Sequence, residues 1–381
     1  MPLAAVIPRP NAPVEIRDLP QPELAPDSAL LAVEISEVCG TDVYLQRGLL
    51  ESVPYPLIPG HVSVGRLEKI RGEMLDVAGR PFREGDRVTF LDVHGTCNAC
   101  WYCLVAKATT RCPQRKVYGI TYGMNDGLAG GWSEQVYLKP GTRCIRLEAE
   151  PELFMTGGCA LPTALHAVER AEISIGDTVL VLGSGPVGLN AIILSVMRGA
   201  RRVVCIGAPK HRLEAALEVG ATAVLNFEEH NQEERLKWLS DQLQVANPDN
   251  PQSEFRIPQL ADVTIEATGH PDAVVQAMRF TRDAGRVVIV GQYTDHGPVS
   301  EEVAFNPHLD LNKKHLDVRG CWGSDFSHFY RAAQIISDPL RAIPWAKLQA
   351  RLAHFTLNEA NEALAAVASG RVLKALIDPK G

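Results

Sequence analysis

Hydrophobic and polar positions follow two different patterns along the chain. Up to about residue 150, short β-branched runs are bounded by Pro, Gly and Asp clusters, which predicts β-strands; examples are ALLAVEIS, HVSVGRLEKI, DRVTFLDV and SEQVYLK. From about residue 160, strand-like runs alternate with helical stretches, beginning with TVLVLG, RVVCIGA and ADVTIEATG and closing with RVVIVGQ. This alternation predicts a parallel, doubly wound sheet. We therefore expect an α/β fold with two domains.

The segments around this second pattern define the predicted domain boundaries. Residues 230–259 interrupt the alternation, and because their second half is polar and rich in Pro and Asn, we interpret them as a surface insertion. After LDVRGCWG, helices are predicted around FSHFYRAAQIIS and NEALAAVAS, and the run VLKALID is predicted to return as a strand to the first domain. One domain thus comprises residues 1–160 with 324–381, and the other residues 161–323.

Composition and charge exclude several classes of function. The 381 residues are 46% hydrophobic and 22% charged, with a formal charge of −7. An acidic chain without a basic patch argues against a nucleic-acid partner. The N-terminal residues do not resemble a signal peptide, and the most apolar window, TVLVLGSGPVGLNAIILSV, is broken by Gly and Pro. We expect a soluble, cytoplasmic protein with no membrane partner.

Four of the nine cysteines lie in one stretch with the spacing C-x2-C-x2-C-x8-C: Cys97, Cys100, Cys103 and Cys112. In a reducing compartment, clustered cysteines are more often metal ligands than disulfides. Four thiolates suit a structural Zn²⁺, which would supply folding energy to a loop with little hydrophobic content. An iron–sulfur cluster with the same ligands is the main alternative, and a set of unpaired core cysteines is a further one that the spacing disfavours.

Three further residues have the chemistry of an open zinc site: Cys39, His61 and Cys159. A catalytic zinc keeps three protein ligands and leaves its fourth position to water or substrate. The bound metal lowers the pKa of an alcohol, so that an alkoxide forms at neutral pH. Because the three residues are scattered over about 120 positions, their spacing equally allows packed thiols and a turn histidine.

A glycine-rich G-x-G-x-x-G sequence follows the strand TVLVL and begins a helix. The predicted dinucleotide-binding residues are Gly183, Ser184, Gly185, Pro186, Val187 and Gly188. The glycines allow a tight turn and close approach to a pyrophosphate, which the helix N-terminus attracts. Between a strand and a helix this motif is more specific than alone, although a plain glycine-rich turn stays an alternative.

The end of the next strand bears on the choice between NAD and NADP. The strand in RRVVCIGAPKHR ends at Gly207, where an acidic residue would bind the ribose 2′-OH of NAD and repel the 2′-phosphate of NADP. Its absence, with Lys210, His211 and Arg212 following, permits NADP. These basic residues fit the solvated first turn of a helix equally well. The sequence therefore leaves the choice between NAD and NADP open and slightly favours NAD.

Both cysteine sets and the nucleotide loop resemble those of the zinc-containing medium-chain dehydrogenases, the alcohol and polyol dehydrogenase group. The similarity covers essentially the whole chain and includes GHV followed by G, EGDRVTF, the cysteine loop and SGRVLKALID. The resemblance implies a GroES-like, β-rich catalytic domain and a Rossmann cofactor-binding domain. It also implies two Zn²⁺ per chain, with a catalytic ion on Cys39, His61 and Cys159 and a structural ion on the four clustered cysteines.

The resemblance further implies individual roles. Thr41 matches the family's Ser/Thr that takes the substrate proton, and Asp42 matches the carboxylate that orients the histidine ligand. Tyr44, kept as a catalytic candidate, stands where many members carry a relay histidine, so the proton is expected to leave through the cofactor ribose or a water. The predicted cofactor-binding residues outside the glycine loop are Thr163 near the nicotinamide, Lys374 facing the pyrophosphate, and Gly207, Arg212, Gly269 and Val290.

Two further departures from the family concern the metal sites. Val62 follows His61 where the family often has Glu, which removes a carboxylate beneath the metal and leaves the local charge less negative. The structural loop has eight residues before its last cysteine instead of the usual seven. Neither departure removes a zinc ligand.

These features predict a zinc-dependent oxidoreductase that transfers hydride between an alcohol, or its carbonyl product, and NAD(P). Cofactor binds first, the alcohol displaces zinc-bound water, Thr41 accepts its proton, and hydride passes to the nicotinamide. A zinc-free enone or quinone reductase and a non-catalytic zinc scaffold with a vestigial nucleotide site are the alternatives. We expect a small secondary or cyclic alcohol as substrate and a homodimer or homotetramer. Candidate pocket-lining residues are Tyr44, Val93, His94 and Trp132.

Overall fold

The structure is a computed structural model that describes residues 1–243, 260–292, 294, 297 and 300–381. The chain forms two compact units, Met1–Pro162 with Ser324–Gly381, and Thr163–Gly323. None of the described helices is long and apolar enough to cross a lipid bilayer.

The strands are, in chain order, β1 (Leu3–Val6), β2 (Glu15–Asp18), β3 (Ser28–Val38), β4 (Ser63–Arg71), β5 (Arg87–Phe90), β6 (Val93–His94), β7 (Lys116–Val117), β8 (Gln135–Leu138), β9 (Cys144–Arg146), β10 (Thr178–Leu182), β11 (Arg202–Gly207), β12 (Ala223–Asn226), β13 (Ala261–Glu266), β14 (Thr281–Ile289), β15 (Asp317–Gly320), β16 (Leu352–Thr356) and β17 (Lys374–Asp378).

The helices are α1 (Gly40–Arg47), α2 (Trp101–Leu104), α3 (Pro151–Gly157), α4 (Ala160–Ala171), α5 (Pro186–Met197), α6 (Lys210–Glu218), α7 (Gln232–Leu243), α8 (Pro271–Phe280), α9 (Phe326–Ser337), α10 (Ile343–Gln349) and α11 (Ala360–Ala368).

The first unit is built around a seven-stranded sheet in the order β16-β17-β3-β4-β5-β9, with β8 also paired to β3. The long strand β3 runs antiparallel to β4 and β17 and is buried along most of its length, because it lies inside the sheet. Two apolar clusters form the core, one around Leu45, Leu57 and Trp132 and one around Phe90 and Tyr118. The C-terminal run VLKALID thus returns to the first unit, as its sequence predicts.

The second unit contains a six-stranded sheet in the order β12-β11-β10-β13-β14-β15. Each strand pair is parallel, and helices α5 to α8 connect successive strands from β10 to β14. The central strand β10 is buried at all five positions, as expected for a parallel sheet covered on both faces. The predicted doubly wound sheet is confirmed.

One prediction for the second unit needs correction. Residues 230–259 were expected to interrupt the alternation of strands and helices, but helix α7 lies between β12 and β13 and continues it. Leu239 and Leu243, four residues apart on one face of α7, are buried in the core of this unit. The polar second half of the expected insertion, residues 244–259, lies outside the described residues.

Candidate active site and metal centres

The ligand atoms of the predicted open metal site come from three separate segments of the first unit. Cys39 caps α1 directly after β3, His61 precedes β4, and Cys159 lies between α3 and α4. Their ligand atoms all lie within 4.8 Å of one another, and Cys39 Sγ is 3.7 Å from His61 Nε2. Tetrahedral Zn²⁺ holds Cys sulfur and His nitrogen about 3.6 Å apart. The donor set and its spacing therefore fit a zinc ion.

The ionisation of the two thiols also suits a cation. The pKa of Cys39 lies well below its ordinary value because Cys159 donates a hydrogen bond to its thiolate and His61 lies beside it, although burial opposes this. The pKa of Cys159 lies well above its ordinary value because of the same hydrogen bond and burial. The two sulfurs thus compete for one proton, which metal binding would release.

The first turn of α1 holds Thr41 and Asp42 against these ligands. The Thr41 N–H donates to Cys39 Sγ at 3.3 Å, and Asp42 Oδ2 accepts from the Cys39 N–H at 2.8 Å, which forms a capping box. Asp42 Oδ1 lies 3.8 Å from His61 Nδ1, the ring nitrogen that does not face Cys39. Burial raises the pKa of Asp42 to about 6. The position of Asp42 suits its predicted role in orienting His61.

A buried carboxylate that the sequence analysis did not single out lies beside the same ligands. Glu37 Oε1 accepts from the Cys159 N–H at 2.9 Å and lies 3.9 Å from His61 Nε2. Its Oε2 lies 2.6 Å from Lys374 Nζ. Residue 62 is a valine where the family often has Glu, and Glu37 on β3 supplies a carboxylate beside the same ligands. Lys374 is buried against Glu37, and its contact with a cofactor pyrophosphate stays a prediction.

The candidate pocket residues differ in their surroundings. Tyr44 is half-buried on α1, and burial together with the Cys39 thiolate raises its pKa. His94 on β6 shares a hydrogen bond with the Tyr122 hydroxyl at 2.5 Å, and Val93 beside it is buried. Trp132 is fully buried in the apolar core, and its indole N–H donates to a main-chain carbonyl at 2.9 Å. It is a core residue, which corrects its assignment to a pocket.

The four clustered cysteines form a second, closed ligand set. The Sγ atoms of Cys97 and Cys112 are 3.6 Å apart, as are those of Cys100 and Cys103. Tetrahedral Zn²⁺ separates two cysteine sulfurs by about 3.8 Å. The large apolar side chains of this loop are exposed, namely Trp101, Tyr102, Leu104 and Val105. Burial of its own side chains therefore cannot fix the loop, and these sulfurs fit a structural zinc that would.

The predicted nucleotide loop runs from the end of β10 into the first turn of α5. Gly185 caps the helix and Pro186 takes its first position, where the missing proline N–H costs nothing. Ser184 Oγ donates to the Ala208 carbonyl at 2.9 Å, which connects the loop to the end of β11. A strand, a glycine turn and a helix N-terminus in this order favour a phosphate-binding loop over a plain turn.

Packing explains why the expected acidic residue is missing after β11. A Cβ atom at Gly207 would lie 2.5 Å from Ser184 Oγ and 2.9 Å from Ser184 N. An acidic side chain at residue 207 would therefore displace the nucleotide loop. Of the three basic candidates in the first turn of α6, Lys210 is exposed, whereas His211 and Arg212 are partly buried.

A second buried carboxylate that the sequence analysis did not single out is Glu266, which binds main-chain groups just after β13 and β14. Glu266 Oε1 accepts from the N–H groups of Thr268 at 2.6 Å and Gly269 at 3.1 Å. Its main-chain carbonyl accepts from the Val290 N–H at 2.9 Å. Gly269 and Val290, both predicted to contact cofactor, thus lie at the carboxyl ends of β13 and β14, where parallel sheets bind ligands. Thr163 lies in α4, at the start of the second unit.

Comparison with known proteins decides the family. The alcohol dehydrogenase GroES-like domain matches residues 25–149, and the zinc-binding dehydrogenase domain matches residues 186–338. The chain is 30% identical over 371 residues to 5-exo-hydroxycamphor dehydrogenase of Pseudomonas putida, which covers 96% of this chain and 95% of that relative. The chain belongs to the zinc-type alcohol dehydrogenase family.

Solved structures agree with this assignment. An alcohol dehydrogenase from Thermotoga maritima superimposes with a TM-score of 0.87 at 30% identity, over 99% of both chains. A zinc-binding dehydrogenase from Sinorhizobium meliloti 1021 bound to NADP gives a TM-score of 0.81 at 26% identity, over 100% of this chain and 99% of that one. The GroES-like and Rossmann domains are confirmed. The protein is a zinc-dependent oxidoreductase of alcohols that uses a nicotinamide cofactor, the first of the three functions that the sequence left open.

Proposed function

We propose that Cys39, His61 and Cys159 hold the catalytic zinc of a dehydrogenase for secondary or cyclic alcohols, and that the four clustered cysteines hold a second, structural zinc. One observation carries this proposal. Three donors from distant parts of the chain meet within 4.8 Å, whereas the other set has four donors close together in sequence. Three ligands leave a coordination position for substrate, and four ligands close the site.

The zinc, when bound, polarises the alcohol oxygen and lowers the pKa of the hydroxyl. The protein's own residues then handle the proton. Thr41, whose main chain is tied to Cys39, accepts the alcohol proton through its hydroxyl and passes its own onward. Asp42 lies beside His61 Nδ1 and orients the imidazole. Tyr44 follows one turn later on α1, and its phenol contributes to the path of the proton or to the lining of the pocket.

The second unit binds the nicotinamide dinucleotide. The N-terminus of α5 would hold the pyrophosphate of the dinucleotide, because backbone N–H groups at a helix N-terminus attract an anion. Because residue 207 carries no carboxylate, nothing there repels a 2′-phosphate, and His211 and Arg212 supply positive or neutral donors nearby in sequence. We propose that the enzyme accepts NADP as well as NAD. The nicotinamide, when bound, would accept the hydride from the alcohol carbon.

The substrate class is proposed from two observations. The relative that is 30% identical is named 5-exo-hydroxycamphor dehydrogenase, and 5-exo-hydroxycamphor is a cyclic alcohol. Val93 gives the candidate lining an apolar member, and Tyr44 adds an aromatic ring with a polar end. Assembly as a homodimer or homotetramer and location in the cytoplasm stay predictions.

A panel of alcohols with both cofactors tests this proposal. Secondary and cyclic alcohols should reduce NAD and NADP faster than primary alcohols of equal carbon number. Oxidation restricted to primary alcohols would overturn the substrate class, and activity with NAD alone would overturn dual cofactor use. Primary alcohols of matched size are the control, because they offer the same apolar surface but a different carbon to the hydride acceptor.

A further inference from the structure

Glu37 and Lys374 form a buried ion pair beside the open metal site. Glu37 lies near the end of β3, two residues before Cys39, and β17 pairs with this end of the strand through Leu376 opposite Glu37. The exposed fractions of the Lys374 and Glu37 side chains are 4% and 0%, and Nζ lies 2.6 Å from Oε2. Removing two charges from water is costly unless each is well paired. The burial of this ion pair beside the metal site therefore needs a functional explanation.

The carboxylate divides its two oxygens between the cation and the ligands. While Oε2 faces Lys374, Oε1 accepts from the Cys159 N–H at 2.9 Å and lies 3.9 Å from His61 Nε2. The main chain of Glu37 is also fixed, since its N–H donates to the Val62 carbonyl at 3.2 Å. Glu37 is thus attached to the segments of all three proposed ligands: to Cys39 along the chain, to the His61 segment by its main-chain N–H, and to Cys159 by its carboxylate.

The residue before Cys159 shows that the pair approaches the ligand backbone closely. Gly158 has φ +50°, and a Cβ atom there would lie 2.0 Å from both Glu37 Oε2 and Lys374 Nζ. Any side chain at residue 158 would therefore displace the ion pair. The carboxylate and the ammonium fit beside residue 158 only because this residue is a glycine.

We propose that Glu37, anchored by Lys374, is a positioning residue of the zinc site: it fixes the Cys159 segment and slows the loss of the metal. This inference rests on the proposed assignment of Cys39, His61 and Cys159 as zinc ligands. A carboxylate that accepts from the amide of a ligand residue limits how far that ligand can turn away. Replacing a residue that contacts a metal ligand typically changes the affinity of the site for the metal by roughly 10- to 100-fold.

The test measures how fast zinc leaves the purified holoenzyme for a chromogenic chelator, with melting temperature recorded in parallel. Glu37→Gln removes the negative charge and one of the two acceptor oxygens at constant shape. The double variant Glu37→Met with Lys374→Met removes both charges and both acceptor oxygens, so no unpaired ammonium is left buried. Glu34→Gln is the matched control, because Glu34 lies on the same strand and pairs with Arg66 and Arg87 at 2.9 Å each, away from the zinc ligands.

We expect both Glu37 variants to release one zinc roughly 10- to 100-fold faster than the wild type, while the other zinc and the Glu34→Gln variant behave normally. Unchanged release from both Glu37 variants would overturn the proposal. So would full recovery in the double variant, which would show that the pair only balances charge. If Glu37→Gln does not fold, the double variant alone decides between these outcomes. A wild type with a single zinc would instead refute the underlying two-zinc assignment.

Discussion

At the scale of the residue, Cys39 links the proposed metal site to the proposed proton acceptor, Thr41. It is a proposed ligand and also the N-cap of α1, and its sulfur accepts from the Thr41 N–H at 3.3 Å. The position of Thr41 is therefore set by the ligand itself rather than by a mobile loop. A proton acceptor placed in this way typically contributes roughly 10²- to 10⁴-fold to a rate.

Thr41→Val should lower turnover by roughly 10²- to 10⁴-fold and leave both zinc ions in place, because valine keeps the shape but loses the hydroxyl. Turnover, zinc content and cofactor affinity would be measured together. Thr222→Val is the control, since the Thr222 hydroxyl donates to the Val203 carbonyl in the second unit and has no proposed role in catalysis. Near-normal turnover of Thr41→Val with zinc bound would rule out the proton-transfer role.

Residue chemistry explains which site residues could be predicted from the sequence. Cysteines and histidines are specific enough that the structure brings together all seven proposed ligands in the two expected sets. Glu37 was missed because a glutamate inside a strand such as ALLAVEISEV ordinarily faces solvent. Its partner Lys374 lies at the other end of the chain, and only the pairing of β17 with β3 brings the two together.

At the scale of the element, the cysteine loop and the helices differ in what stabilises them. Helix α7 is fixed by burying Leu239 and Leu243, and β17 by burying its apolar run in the sheet. The cysteine loop instead exposes Trp101 and Val105, and we propose that metal coordination stabilises it in place of burial. This contrast also explains why helix α7 was not predicted. Its sequence is mostly polar, and only a few apolar residues pack it against the core.

Cys103→Ser should lose one zinc and lower the melting temperature, because three thiolates hold the metal less tightly than four. Metal analysis and thermal unfolding check this. Cys144→Ser is the matched control: Cys144 is a buried thiol of the same unit that belongs to neither ligand set, so this variant should keep both zinc ions. A Cys103→Ser protein with two zinc ions and an unchanged melting temperature would contradict a structural metal at the loop.

At the scale of the whole molecule, the two units contain different candidate sites. The first contains both candidate metal sites, and the second contains the glycine loop and the strand ends that are predicted to bind a dinucleotide. The change from β-rich to alternating sequence predicted this division, because the two hydrophobic periods require different folds. The ligand cluster could not be derived from spacing, since its three segments meet only after β3, β4 and α3 have packed.

The central claim is that Cys39, His61 and Cys159 hold the zinc on which alcohol oxidation depends. Its most direct test is Cys159→Ser, assayed for zinc content and for alcohol-dependent reduction of NAD and NADP on the same preparation. We expect a folded protein with one zinc, a melting temperature close to that of the wild type, and no alcohol-dependent reduction of either cofactor. A variant that has one zinc and still oxidises alcohols at the wild-type rate would contradict it.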